Sequence, residues 1–151
     1  MGASISEKLA ELNITLPSVA APVAAYVPAV KVGNQVWTSG QLPFIDGQLP
    51  ATGKVGATVT AEQAESYART AALNALAAVD ALVGIDNVTR VLKVTGFVAS
   101  ATDFGGQPAV VNGASNLIGE IFGEAGAHAR SAVGVANCHL MPPLSWKLSS
   151  R

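Results

Sequence analysis

Apolar residues recur along the chain with two different periods, and the switches between them mark out the elements. From Thr60 onward Ala64, Ala68, Ala71, Ala75, Leu76, Val79, Leu82 and Val83 fall at steps of three and four, the period of a helix with one buried face. Thr60 and Gln63 form a capping box at its start, and Gly84 ends it. The same period predicts a helix from Ala109 to Phe122, with Val111, Ala114, Leu117, Ile118, Ile121 and Phe122 inward and Gly123 as the stop. A shorter helix is expected from Ser4 to Asn13, capped by Ser4 and Glu7, with Leu9 and Leu12 on one face.

Elsewhere β-rich runs replace the helical period. Tyr26 to Val32 and Gln35 to Ser39 flank Gly33-Asn34, a dipeptide that supplies the positive φ angles of a tight hairpin. Val88 to Ser100 is β-branched and reads as a strand, as does the shorter Ser131 to Ala136. The prolines of Leu16 to Pro28 keep that stretch extended. Gln41 to Ala57, with three glycines and two prolines, reads as a long loop, and Asp103 to Pro108 as a turn. The order of hairpin, helix, strand, helix and strand predicts one α+β domain, with two main helices on one face of a mixed sheet. After Ala136 strand alternation disappears, two adjacent prolines intervene, and the segment reads as a poor partner for the preceding strand.

Composition narrows the function classes. Of 151 residues half are apolar and 13% charged, so the chain has ample material for a core and little charge to cover a monomer's surface. Buried interfaces between copies are therefore expected. Nine basic against ten acidic residues give no electrostatic footprint for nucleic acid. A single cysteine, Cys138, excludes an internal disulfide framework and a thiolate metal cage, which fits a cytoplasmic location. The N-terminus lacks the basic start and apolar run of a signal peptide, and three prolines interrupt the uncharged stretch Leu12 to Val30, so no membrane segment is expected. Neither a cofactor nor a metal is called for.

Arg130 stands out as candidate chemistry. It opens an apolar strand among small residues, with no acidic residue after Glu124, and could fork onto a carboxylate. The bland alternative is a surface ion pair. His128, two residues earlier, would share its strand face, and a lone histidine more often has a structural role. Cys138 and His139 are adjacent, point apart on a strand and make no metal site. Gly40, closing Thr38-Ser39-Gly40-Gln41, allows close approach of a ligand, although turn chemistry explains it equally well. Gly105-Gly106-Gln107 lacks the strand and helix of a phosphate loop, and Asn112 could orient a polar substrate or simply face solvent.

Tyr26-Val27, the Gly33-Asn34 hairpin, Thr38-Ser39-Gly40-Gln41-Leu42-Pro43, Phe97-Val98, Asp103-Phe104, Val111-Asn112 and Ala129-Arg130-Ser131 stand in an order that resembles the RidA/YjgF family. These are the reactive-intermediate deaminases, some of which carry the name L-PSP endoribonuclease. The resemblance spans roughly Ala25 to Ala136, and the N-terminal extension and Gly113 to Asn116 look like a less characterised branch. It implies a chorismate-mutase-like fold and a homotrimer with sites in the clefts between subunits. It also implies hydrolysis of enamine or imine acids to 2-keto acids and ammonia. The carboxylate-binding arginine falls on Arg130, with Tyr26, Ser39, Gly40 and Asn112 as further substrate-binding residues. A non-catalytic trimer that binds a small carboxylate metabolite is the alternative reading. Endoribonuclease activity, implied by the family name alone, is a third and finds no support in the charge balance.

Two departures bear on activity. The family's cysteine after the arginine is Ala132, and its water-positioning glutamate falls on Ser145, which alone is no base at neutral pH. Permitted codons for Ala136 to Ser150, read from the third base, spell Glu-Leu-Pro-Leu-Asp-Ala-Pro-Val-Glu-Leu-Glu-Ala-Glu-Leu-Glu. That restores the family's Leu-Pro and Val-Glu pattern, with a glutamate at the position of Ser145. The expected organisation is an N-terminal helix and arm (1–24), a RidA-like domain (25–136) and an atypical C-terminal segment (137–151) that a reading-frame shift would explain.

Overall fold

The computed structural model describes residues 2–19, 21–22, 24–137 and 144–150. Cys138 and His139 lie outside the described residues. A first helix, α1 (Ile5–Glu11), is followed by the hairpin β1 (Ala29–Val32) and β2 (Gln35–Thr38). The long helix α2 (Ala61–Val83), strand β3 (Val91–Ala99), helix α3 (Gln107–Phe122) and strands β4 (Ala129–Val135) and β5 (Leu144–Ser150) follow. Short 3-10 turns at Ile85–Asn87 and Gly123–Gly126 lead into β3 and β4.

Both expected capping boxes form: Ser4 and Glu7 close the start of α1, Thr60 and Gln63 that of α2. Each satisfies two backbone N–H groups that a helix start leaves orphaned. The hairpin differs in one detail from its expectation. Gly33 alone takes a positive φ, at 60°. A glycine at the first of two turn residues is the type II′ solution, and it matches the strand twist as well as the expected two-residue pattern.

The strands form one mixed sheet in the order β1-β2-β5-β3-β4, with β3 and β4 parallel and the other pairs antiparallel. As expected, the tail does not pair with β4, the strand before it, but the loss of strand structure expected after Ala136 needs correction. Residues 144–150 form the central strand, paired with β2 on one side and β3 on the other. Alternation within the segment was a poor guide because the slot between β2 and β3 offers backbone partners on both sides, whatever the side chains.

Helix α2 lies over β1, β2 and β5, and α3 over β3 and β4, so both main helices cover one face. The core sits between them and the sheet. Ala64, Ala68, Ala71, Ala75, Leu76 and Val79 of α2 are buried, as are all six expected inward residues of α3. Leu82 and Val83 are the exceptions: Leu82 is exposed and Val83 half-buried where α2 overhangs an open cleft beside Gly33 and Asn34. The small side chains let the helices approach closely. A Cβ on Gly113 would collide with the Glu65 carbonyl of α2, and one on Gly96 of β3 with Val111 of α3. The loop before α2 is also firmer than its glycines suggest. Val55 is fully buried, its N–H donates to the Ala99 carbonyl at 2.9 Å and its own carbonyl accepts from Ala101 at 2.9 Å.

The opposite face of the sheet has a different character. Val30 lies opposite Trp37, and Phe97 opposite Val133, and all four are more than a third exposed. Among the described residues no helix is long and apolar enough to cross a membrane.

Candidate functional site

Arg130 is the second residue of β4, and its guanidinium reaches back to α3. Nη1 donates to Asn112 Oδ1 at 2.7 Å and to Ser115 Oγ at 3.3 Å. Asn112 and Ser115 are three residues apart on α3, so both present to the same side. The parallel β3–β4 pair fixes the height of Arg130 against the helix, with Val94 opposite it. Among the described residues Arg130 makes no ion pair; the carboxylate bridges there join Lys8 to Glu11 and Arg69 to Glu120. An exposed guanidinium held through one nitrogen keeps the rest of its fork for an incoming carboxylate. A bidentate clamp needs that planarity and a fixed orientation, and Asn112 supplies the orientation.

His128 stands just before β4 and, as its spacing suggests, meets the same feature as Arg130. Its Nε2 is 3.0 Å from Ser115 Oγ, and its Nδ1 is 2.6 Å from the Gly126 carbonyl oxygen. Ser115, which bridges His128 and Arg130, is a residue that sequence reasoning does not single out. The three-residue spacing from Asn112, on a helix whose other face is wholly apolar, is the signal that could have found it.

Tyr26, Ser39 and Gly40 gather elsewhere. With Val27, Val30, Trp37 and Thr38 they line an open cleft of about 430 Å³ at the β1–β2 edge. Ser39 closes that end of the hairpin: its hydroxyl donates to the Val27 carbonyl at 2.6 Å and its N–H to the Pro28 carbonyl at 2.8 Å. In the strand order β2 and β4 are separated by β5 and β3, which at the usual strand spacing is roughly 15 Å of sheet. Within one chain, then, Arg130 and Asn112 come together, while Tyr26, Ser39 and Gly40 form a second group at the far edge. Ser145 lies in β5 opposite Phe97. Among the described residues no three His, Cys, Asp or Glu side chains group as a metal site.

Comparison with known proteins agrees with this architecture. Residues 6–146 match the family model described as "YjgF/chorismate mutase-like, putative endoribonuclease". Protein TCP17 of Trypanosoma cruzi is 44% identical over 134 residues, covering 87% of this chain and 84% of that protein. The crystal structure of Atu1372 from Agrobacterium tumefaciens is 42% identical, with a TM-score of 0.88 over 97% of this chain and 91% of that one. The structure of Escherichia coli TdcF with bound serine is 25% identical, with a TM-score of 0.64 over 90% and 94% of the two chains. With a family model matching residues 6–146 and solved relatives sharing its fold, the chain belongs to the RidA/YjgF family.

Proposed function

We propose that this protein hydrolyses 2-imino and enamine acids to 2-keto acids and ammonia, with Arg130 as the carboxylate anchor. The observation that carries the reading is the Arg130 guanidinium, exposed, oriented by Asn112 and without a carboxylate partner among the described residues. TdcF, a solved relative, binds serine, a small amino acid whose carboxylate is of the kind such a guanidinium recognises. A clamped carboxylate holds the neighbouring C=N carbon in a fixed place for attack by water, and positioning of this kind lowers the barrier without any covalent step.

The site is proposed to close between copies of the chain in a homotrimer. Two groups of site residues at opposite sheet edges, Arg130 with Asn112 and Tyr26 with Ser39 and Gly40, can share one substrate if the edge of one copy meets the opposite edge of the next. Cytoplasmic location remains part of the proposal, resting on the lone cysteine.

A non-catalytic carboxylate binder is the second reading, and Ser145 in β5 favours it, because the family's glutamate falls there. The shifted reading frame would reconcile the two: the segment from 137 onward is then altered, and the unshifted gene encodes the glutamate. Sequencing codons 136 to 151 tests this, and codons that cannot spell Leu-Pro and Val-Glu in the other frame overturn it.

Activity is tested by adding the protein to a pyridoxal-phosphate dehydratase that generates 2-aminoacrylate and following keto-acid release. Acceleration that disappears in Arg130→Ala supports the enzyme. Equal rates with and without protein exclude it for this chain, and serine bound through Arg130 would then leave the binding reading in place.

A further inference from the structure

His128 sits between two hydrogen bonds whose directions can be assigned. The Gly126 carbonyl has no proton to give, so the 2.6 Å contact requires a proton on Nδ1. The neutral ring then presents Nε2 as an acceptor, and Ser115 Oγ, 3.0 Å away, donates its single proton there. The serine oxygen keeps its lone pairs for Arg130, whose Nη1 donates to it at 3.3 Å. Guanidinium, hydroxyl, imidazole and backbone carbonyl form one directed chain. A hydroxyl in contact with an imidazole whose far nitrogen is fixed by a third group is the arrangement that moves protons near neutral pH.

We propose that Ser115 and His128 are the proton-transfer pair of the Arg130 site, with Ser115 touching the substrate and His128 a positioning and proton-storing residue acting through it. This rests on the hydrolytic reading above, with the 2-imino acid reacting as its iminium. Its carboxylate is held by Arg130, so the adjacent carbon and nitrogen come within reach of a hydroxyl 3.3 Å from Nη1. Water attacks the iminium carbon: a C–O bond forms and the C=N π pair moves to nitrogen. The water proton passes to Ser115 Oγ as the serine proton passes to His128 Nε2. In the second half His128 returns its proton through Ser115 to the amino nitrogen. The C–N bond then breaks with its electron pair on nitrogen, C=O forms, and the hydroxyl proton leaves with ammonia as ammonium. Iminium acid plus water has become keto acid plus ammonium, and Ser115 and His128 are restored. The pair supplies the base that Ser145 cannot.

The charged side chains on the elements around His128 are few. Arg130 on β4 is coupled to it through the shared hydroxyl. Lys93 on β3 donates to Ser131 Oγ at 2.8 Å, Glu120 on α3 is paired with Arg69 at 3.5 Å, and Arg90 donates to the Ala127 carbonyl at 3.4 Å. Glu124 lies in the 3-10 turn that carries Gly126.

The test uses the full chain and a 2-imino acid generated in situ, with kcat and KM measured from about pH 5.5 to 9, the range that brackets an imidazole. His128→Gln and Ser115→Ala are expected to lower kcat about 100-fold with KM little changed. In His128→Gln the acid limb of the wild-type profile disappears, and Ser115→Thr, which keeps the hydroxyl, restores most of the rate. Wild-type kcat and pH profile in His128→Gln would overturn the pair and leave the hydrolytic reading standing. If the variants fail to fold, the wild-type profile decides, because a flat kcat through the imidazole range overturns the pair. Wild-type protein no faster than buffer overturns the hydrolytic reading and the pair with it.

Discussion

Asn74 is a polar side chain in the middle of an apolar helix face, and its amide explains why it is there. It is buried on α2, and Nδ2 donates to the carbonyls of Leu42 at 2.8 Å and Phe44 at 3.1 Å. Those are part-buried loop carbonyls for which the Asn74 amide supplies the donor. Asn74→Ala is expected to lower unfolding free energy by about 1–2 kcal/mol, the scale of losing two part-buried hydrogen bonds, measurable by urea titration. Asn112 makes the opposite use of the same chemistry, since its exposed amide serves a guanidinium rather than a loop. Asn112→Ala should weaken carboxylate binding about tenfold, the scale of one lost hydrogen bond to a charged group, while the melting temperature stays near wild type. Isothermal titration with serine checks this.

At the scale of elements, helix–helix and helix–loop junctions depend on single atoms. Gly113 lets α3 cross α2 against the Glu65 carbonyl, so Gly113→Ala must push the helices apart and should cost about 1–3 kcal/mol in a thermal or urea melt. Helix α1 is docked by Asp86, whose two oxygens accept from Ser6 Oγ at 2.6 Å and Ser6 N–H at 2.7 Å. The Ser6 side-chain bond, then its backbone bond, hold the Asp86 carboxyl below its ordinary 3.8. A group with a depressed folded-state pKa contributes its stability above the ordinary value and loses it as pH falls through the folded one. Docking of α1 should therefore hold at neutral pH and weaken only below about pH 3.8, and Asp86→Asn should abolish that acid step. Amide exchange at Leu9 and Leu12 reads it directly. These junctions also mark where sequence reasoning stops. Helices and their caps were legible because Thr60–Gln63 and Ser4–Glu7 are local signals. The Asp86–Ser6 bond spans 80 positions, and no local period foretells it. Arg130 and Asn112 were legible as residues, but their contact, and Ser115 beside it, depended on how β4 lies against α3.

For the whole molecule the decisive property is its two unlike sheet faces. One is covered by α2 and α3, whereas Val30, Trp37, Phe97 and Val133 lie on the other. Those exposed apolar side chains lie where a second copy could cover them. Val133→Glu puts a charge on that face far from the helix-side core, so it should shift a trimer toward monomers in light scattering while circular dichroism stays unchanged. A wild type that is already monomeric would remove the composite site and, with it, the proposed sharing of substrate between sheet edges.

The central strand is also made after the other four. Strands β2 and β3 do not touch each other; each pairs with β5, which is synthesised after every other described element. Until Leu144–Ser150 arrives the sheet is two separate pieces, a hairpin and a parallel pair, each with an open edge aimed at the other. Such edges recruit any strand within reach, including one from a neighbouring chain. Emergence from the ribosome therefore sets the order of events: the helices and the hairpin can form early, but the sheet closes only after β5 has been released. Any change that delays or shortens that strand leaves a sticky intermediate rather than a slightly less stable protein.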